Sequence, residues 1–75
     1  MINGKLKVGD LFYFGGTKQR GSTSGKVIKI NRVTFDYEGS YFGKPTTHRT
    51  RYDDFIGGKF IILRDGVKTT LTEGN

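Results

Sequence analysis

The chain has 75 residues, with 13 lysines and arginines against 7 acids (net charge +6), 12 glycines, no cysteine and no alanine. That length leaves room for one small core and none for a catalytic domain joined to a regulatory one, and the lack of cysteine excludes disulfides and thiolate metal sites. No apolar run is long enough to span a bilayer and no signal-peptide core opens the chain, so a soluble, cytoplasmic protein without membrane contact is expected.

In chain order, "KVGDLFYF" (7–14) reads as a turn at Gly9-Asp10 followed by a strand. Alternation sets Phe12 and Phe14 on one face and Leu11 and Tyr13 on the other. "GGTKQRGSTSG" (15–25) holds four glycines, two cations and no large apolar residue, the composition of a mobile loop. "KVIKINRVTFDYEG" (26–39) carries a strand with Val27, Ile28 and Ile30, a short turn at Asn31-Arg32, and a second strand. In that second strand Val33, Phe35 and Tyr37 alternate with Thr34, Asp36 and Glu38.

"GSYFGKPT" (39–46) reads as a loop presenting Tyr41 and Phe42. "THRTRY" (47–52) then alternates His48, Thr50 and Tyr52 against Thr47, Arg49 and Arg51. "DDFIGG" predicts one helical turn near residues 53–56, capped by Asp53, with Phe55 or Ile56 in the core and glycines to end it. "KFIILRDGVKTTL" (59–71) contains a last apolar strand and the hairpin dipeptide Asp65-Gly66. Residues 67–75 are either a sixth strand or a frayed tail.

The segments "VGDLFYF", "GKVIKI", "RVTFDYEG" and "RYDDF", with the closing strand, resemble the pattern of SH3-like small barrels of the KOW and Tudor kind. The resemblance covers residues 7–63 and implies an all-β, single-domain, five-stranded barrel over residues 1–75 with a short 3-10 turn. An oligonucleotide-binding fold would need a helix between its third and fourth strands, and no segment here supplies one. Barrels of this kind dock on other proteins as well as on nucleic acid. Free-standing basic ones, such as phage genomes encode, act as adaptors or inhibitors of RNA polymerase or the ribosome.

Charge is uneven. Residues 1–32 hold seven cations and one acid, Asp10, while residues 33–75 hold six of each. A one-sided basic surface with exposed rings suits nucleic acid, because cations follow phosphates and bases stack on aromatics. The candidate set is Lys18, Arg20, Lys26, Lys29 and Arg32, with Tyr13, Tyr41, Phe42 and Lys44, and with Arg49 and Arg51 as secondary members. Two competing readings are structural: Tyr41 and Phe42 fold back over an open barrel end, and Arg49 and Arg51 pair across strands with Asp36 and Glu38.

Catalytic motifs fail their spacing tests. In "GTKQRGST" Ser22 stands where a phosphate-binding loop needs lysine, and in "GSTSGKV" the glycine spacing is one short and Val27 replaces the magnesium-binding hydroxyl. His48 has no serine or cysteine partner at a recognisable spacing, and Asp53-Asp54 suit a helical cap better than a cation site. The "GD…G-x-V" strand grammar also resembles the small type II dihydrofolate reductases, whose pore motif Val-Gln-Ile-Tyr is missing. The expectation is therefore a non-enzymatic nucleic-acid-binding module, RNA or DNA, without cofactor or metal. The alternative is a protein-interaction adaptor or inhibitor docking on a nucleic-acid machine, and a third, less favoured reading is a small oligomeric enzyme of the reductase kind.

Overall fold

In the computed structural model, which describes residues 4–72 except the side chains of Tyr41 and Thr72, the chain is all-β. Strands β1 (Leu11–Phe14), β2 (Thr23–Ile30), β3 (Thr34–Tyr41) and β4 (Lys44–Arg51) precede a 3-10 turn (Tyr52–Phe55), then β5 (Lys59–Arg64) and β6 (Val67–Thr72). All pairs are antiparallel, in the order β4-β3-β2-β1-β5-β6. β4 and β6 remain free edges, so the sheet wraps its core without closing. The C-terminal hairpin therefore adds a strand through Thr72, and the remainder of the expected tail, residues 73–75, lies outside the described residues.

Alternation sorts the side chains as the strand pattern requires. Phe12, Phe14, Val27, Phe35, Tyr37, Phe60 and Ile62 turn inward, joined by Leu6, Tyr52 and Phe55. Leu6 lies before the core expected from residue 7 onward. Phe55 plugs the centre, with ring centroids 4.9 Å from Phe14, 5.1 Å from Phe60 and 5.7 Å from Phe35. Ile56, the other candidate plug, is exposed. An aromatic core gives each buried residue a large area, which compensates for the small number of residues available. Gly58 is required beside it: a Cβ there would run into the Phe14 ring, which is fully buried and has nowhere to move.

Several boundaries differ from the sequence expectation, each for a local reason. β2 begins at Thr23, inside the stretch expected to be loop, because residues 23–26 pair with β1 from Phe14 to Leu11. Val33 leaves β3 and is exposed; its carbonyl accepts the Tyr52 N–H at 3.3 Å, tying this turn to the 3-10 segment. The expected loop 39–46 is instead a continuous hairpin with a two-residue turn, Phe42-Gly43, at φ +51° and +78°. Tyr52 opens the 3-10 turn rather than ending β4. Asp54, not Asp53, caps that turn: its carboxylate accepts from the Thr50 hydroxyl at 2.9 Å and the Arg51 N–H at 3.2 Å.

One polar node lies inside. Asp10 is 2% exposed, and its carboxylate accepts a two-pronged contact from Arg64, Nε at 2.7 Å and Nη2 at 2.6 Å. It also accepts the Lys7 N–H at 2.8 Å, while Arg64 Nη2 donates to the Lys5 carbonyl at 2.8 Å. The Arg64 hydrogen bonds hold the Asp10 carboxyl below its ordinary range, against the opposing effect of burial.

Three outcomes are expected. Asp10→Ala should cost about 3 kcal/mol, the low end for breaking a buried pair, since Arg64 keeps partial access to water; chemical denaturation measures it. Folded Asp10 binds its proton less tightly than the unfolded chain does, so its contribution is complete above a pH of about 4 and is lost as pH falls through the lowered folded value. Acid titration followed by circular dichroism should show that loss in the wild type and a flatter profile in Asp10→Asn. Phe42→Asn, which suits a turn needing positive φ at both central positions, should raise stability by about 0.5–1 kcal/mol, read as a higher melting temperature.

Candidate functional site

The outer face of the sheet collects the charged side chains, and a bulge in β2 decides which ones. Lys26 stands opposite Glu38 and Lys29 opposite Asp36, with the register shifting between Val27 and Lys29. Three residues apart on a regular strand, these lysines would point to opposite faces. The extra residue, Ile28, restores Lys29 to the same side as Lys26. Val27 and Ile30 meanwhile stay opposite the inward Tyr37 and Phe35.

The cross-strand register then reads Lys26–Leu11–Leu63–Lys68, an apolar pair between two lysines. Alongside it, Tyr13 stands between Ser24 and Ile61, and Lys59 lies at the next outward position of β5. Tyr13 and Leu11 are 50% and 48% exposed. Leu11, Tyr13, Ile61, Leu63 and Lys68 line a shallow, mainly apolar groove of about 300 Å³ with a wall at Phe12. Beyond Lys26, the face continues through Asp36 and Glu38 to Arg49 and Arg51.

Cations on this surface have unequal freedom. Each ion pair among the described residues joins an arginine to an aspartate: Arg64–Asp10, Arg49–Asp36, Arg51–Asp53 at 3.6 Å and Arg20–Asp54 at 3.9 Å. Arg49 forks onto Asp36 at 2.8 and 3.3 Å, the cross-strand pairing expected for it. That hydrogen bonding lowers the Asp36 pKa and raises that of Arg49. No lysine enters any of these pairs.

The sequence-derived candidates are thereby divided. Tyr13, Lys26, Lys29, Arg49 and Arg51 share the outer face. Lys18 lies on the loop after β1, and Arg32 on the turn after β2. Lys44 and the 88% exposed Phe42 stand at the β3–β4 hairpin. The Tyr41 side chain lies outside the described residues. Arg20 turns inward: its guanidinium carbon sits 5.0 Å from the Phe55 ring centroid and Nη2 is 3.5 Å from the Thr50 hydroxyl. Its Nε is buried without a hydrogen-bond partner. The loop that carries it is held by the Thr17 N–H donating to the Arg20 carbonyl at 2.7 Å, and by the Thr17 hydroxyl accepting the Gln19 and Arg20 N–H groups.

Lys59, Lys68, Leu11, Ile61 and Leu63 complete the face and are absent from the sequence-derived set. Alternation in "KFIIL" puts Lys59, Ile61 and Leu63 on one side, but only the β1–β5 register brings them beside Tyr13.

His48 stacks on Tyr37 at 5.2 Å, and its Nε2 lies 2.8 Å from the Thr46 hydroxyl. Both members of that pair sit on an open edge strand, and among the described residues no carboxylate orients the other ring nitrogen. The described residues contain no cluster of three or more His, Cys, Asp or Glu side chains arranged to hold a metal ion. No helix among them is long and apolar enough to cross a membrane. Comparison of the chain with protein-family models, with curated proteins and with solved structures gives no match.

Arg20→Ala should destabilise the fold by about 1 kcal/mol through lost packing over Phe55. In a domain of this size that is a drop of about 4–8 °C in melting temperature. An unchanged melt would show that the guanidinium is not seated there.

Proposed function

We propose that this chain is a non-enzymatic nucleic-acid-binding domain that uses the outer face of its sheet. The observation that carries the reading is the division of labour among the cations. Arginines pair with four of the five aspartates, whereas Lys26, Lys29, Lys59 and Lys68 enter no ion pair among the described residues and share one side of the sheet. A field of lysines that outnumbers the acids Asp36 and Glu38 beside it attracts a polyanion and releases its counterions on contact. Tyr13 adds an exposed ring among them.

A second reading has its own support. Leu11 and Leu63 make the centre of this face apolar, which suits a protein partner whose acidic residues meet the lysines. Capture from lysate with and without nuclease separates the two, because partners bridged by nucleic acid are lost on digestion.

The direct test is fluorescence anisotropy with labelled RNA and DNA across a salt series. With four phosphate contacts the slope of log K against log salt should be about −3 on a single strand. The paired substitution Lys26→Glu and Lys68→Glu should weaken binding about tenfold or more and make that slope shallower. Absence of binding to every oligonucleotide at low salt would remove the proposal.

A further inference from the structure

A lysine field alone would accept a duplex or a single strand equally, since both present phosphates. The groove beside it discriminates. Its floor and walls are Leu11, Ile61 and Leu63, and Tyr13 stands at one side with half its surface open. Phosphates have no use for such a surface. A duplex keeps its bases stacked inside and would leave the groove empty, whereas an unpaired strand can lay a base against an aromatic ring.

The cations are arranged to suit the same occupant. Lys26 and Lys68 bracket the Leu11–Leu63 pair across the strands, three inter-strand spacings or about 14 Å apart at their backbones. Lys59 lies on the far side of Tyr13 along the strand direction, next to Gly15, whose N–H donates to the Lys59 carbonyl at 3.2 Å. The groove therefore has cationic positions on three sides. Charge complementarity selects a ligand with an apolar ring in the middle and negative charge around it, which describes a nucleotide strand with one base turned inward.

We propose that the groove between β1 and β5 receives an unpaired nucleobase against Tyr13, making single-stranded nucleic acid the ligand class of this domain. The inference rests on the nucleic-acid reading above and narrows it. Tyr13 acts as a stacking platform; Lys26, Lys59 and Lys68 take the flanking phosphates. The aliphatic residues exclude water from the edge of the bound base.

The test uses the full chain and two labelled probes. One is oligo(dT) of about eight nucleotides, within the roughly 4–16 nucleotides that a single oligonucleotide-binding fold covers. The other is a hairpin duplex of equal charge. The single strand should bind about tenfold or more tighter at equal salt, and Tyr13→Ala should remove about that factor, as base–aromatic stacking implies. Tyr13→Phe should retain it. Because the Tyr13 ring is half exposed, the melting temperature of Tyr13→Ala should stay close to wild type, which separates lost stacking from lost fold.

Tyr13→Trp gives a direct readout, since the chain has no tryptophan of its own and the new indole's emission is quenched when a base stacks on it. Equal affinity for both probes, with Tyr13→Ala neutral and the lysine substitutions damaging, would overturn the base-stacking inference and leave the nucleic-acid reading intact. Failure to bind either probe, with uptake instead of a Glu/Leu-rich amphipathic peptide that quenches the same indole, would overturn both.

Discussion

The contact between Asp10 and Arg64 governs how the segment before β1 meets β5. A carboxylate with almost no solvent access is tolerable only when its charge and lone pairs are satisfied. Here a guanidinium fork and a backbone N–H satisfy them. The same arginine reaches the Lys5 carbonyl, so one side chain anchors the segment before β1 to the strand after the 3-10 turn. Leu6 is thereby held against the core. The Asp10 backbone works too: its carbonyl accepts the Val27 N–H at 2.8 Å, and the neighbouring Gly9 N–H donates to the Val27 carbonyl at 2.8 Å. β1 is therefore fastened to β2 and β5 at the same point. Its outward side chains, Leu11 and Tyr13, owe their position to this joint.

The remaining stability comes from an interlocked set of rings. Phe12 meets Phe35, Tyr37 and Phe60, and Phe55 closes the set from below. Packing this dense needs close approach of backbones, and Gly25 permits it. A Cβ there would fall 2.7 Å from both the Glu38 carbonyl oxygen and the Tyr37 ring. Tyr52 contributes a ring to the core and spends its hydroxyl on the Asn31 carbonyl at 2.9 Å, so burial leaves no orphaned phenol. The outer face is left to vary in charge without disturbing this interior.

Much of the architecture was legible in the sequence, because alternation and turn dipeptides are local signals. The inward set of Phe12, Phe14, Phe35 and Tyr37, the Asp65-Gly66 hairpin and the cation pairing of Arg49 follow from period two and from adjacent strands. What was not legible depends on register or distance. The bulge at Ile28 has no composition of its own, yet it decides that Lys26 and Lys29 share a face. Arg20 reads as a loop cation, but Phe55 and Asp54, far along the chain, draw it inward. Phe42-Gly43 disguised a tight turn because a bulky residue at positive φ is uncommon. Lys59 and Lys68 sit in a half with no net charge, so a count by sequence halves passes over them. Folding interleaves the halves: Asp10, the lone acid of the first, is taken by an arginine of the second.

The Asp10–Arg64 contact also joins positions 54 residues apart, and this bears on the order in which the structure can assemble. The hairpins β2–β3, β3–β4 and β5–β6 close over short distances and need no other part of the chain. The β1–β5 seam has to wait for a large loop to close, and long-range pairing of this kind slows folding. During synthesis the fastening of β1 to β5 cannot form before Arg64 has joined the chain. Until then, the strand that carries Tyr13 has an unpaired edge. That edge, Leu11–Phe14, carries no charged side chain of its own to oppose pairing between two such unfinished chains.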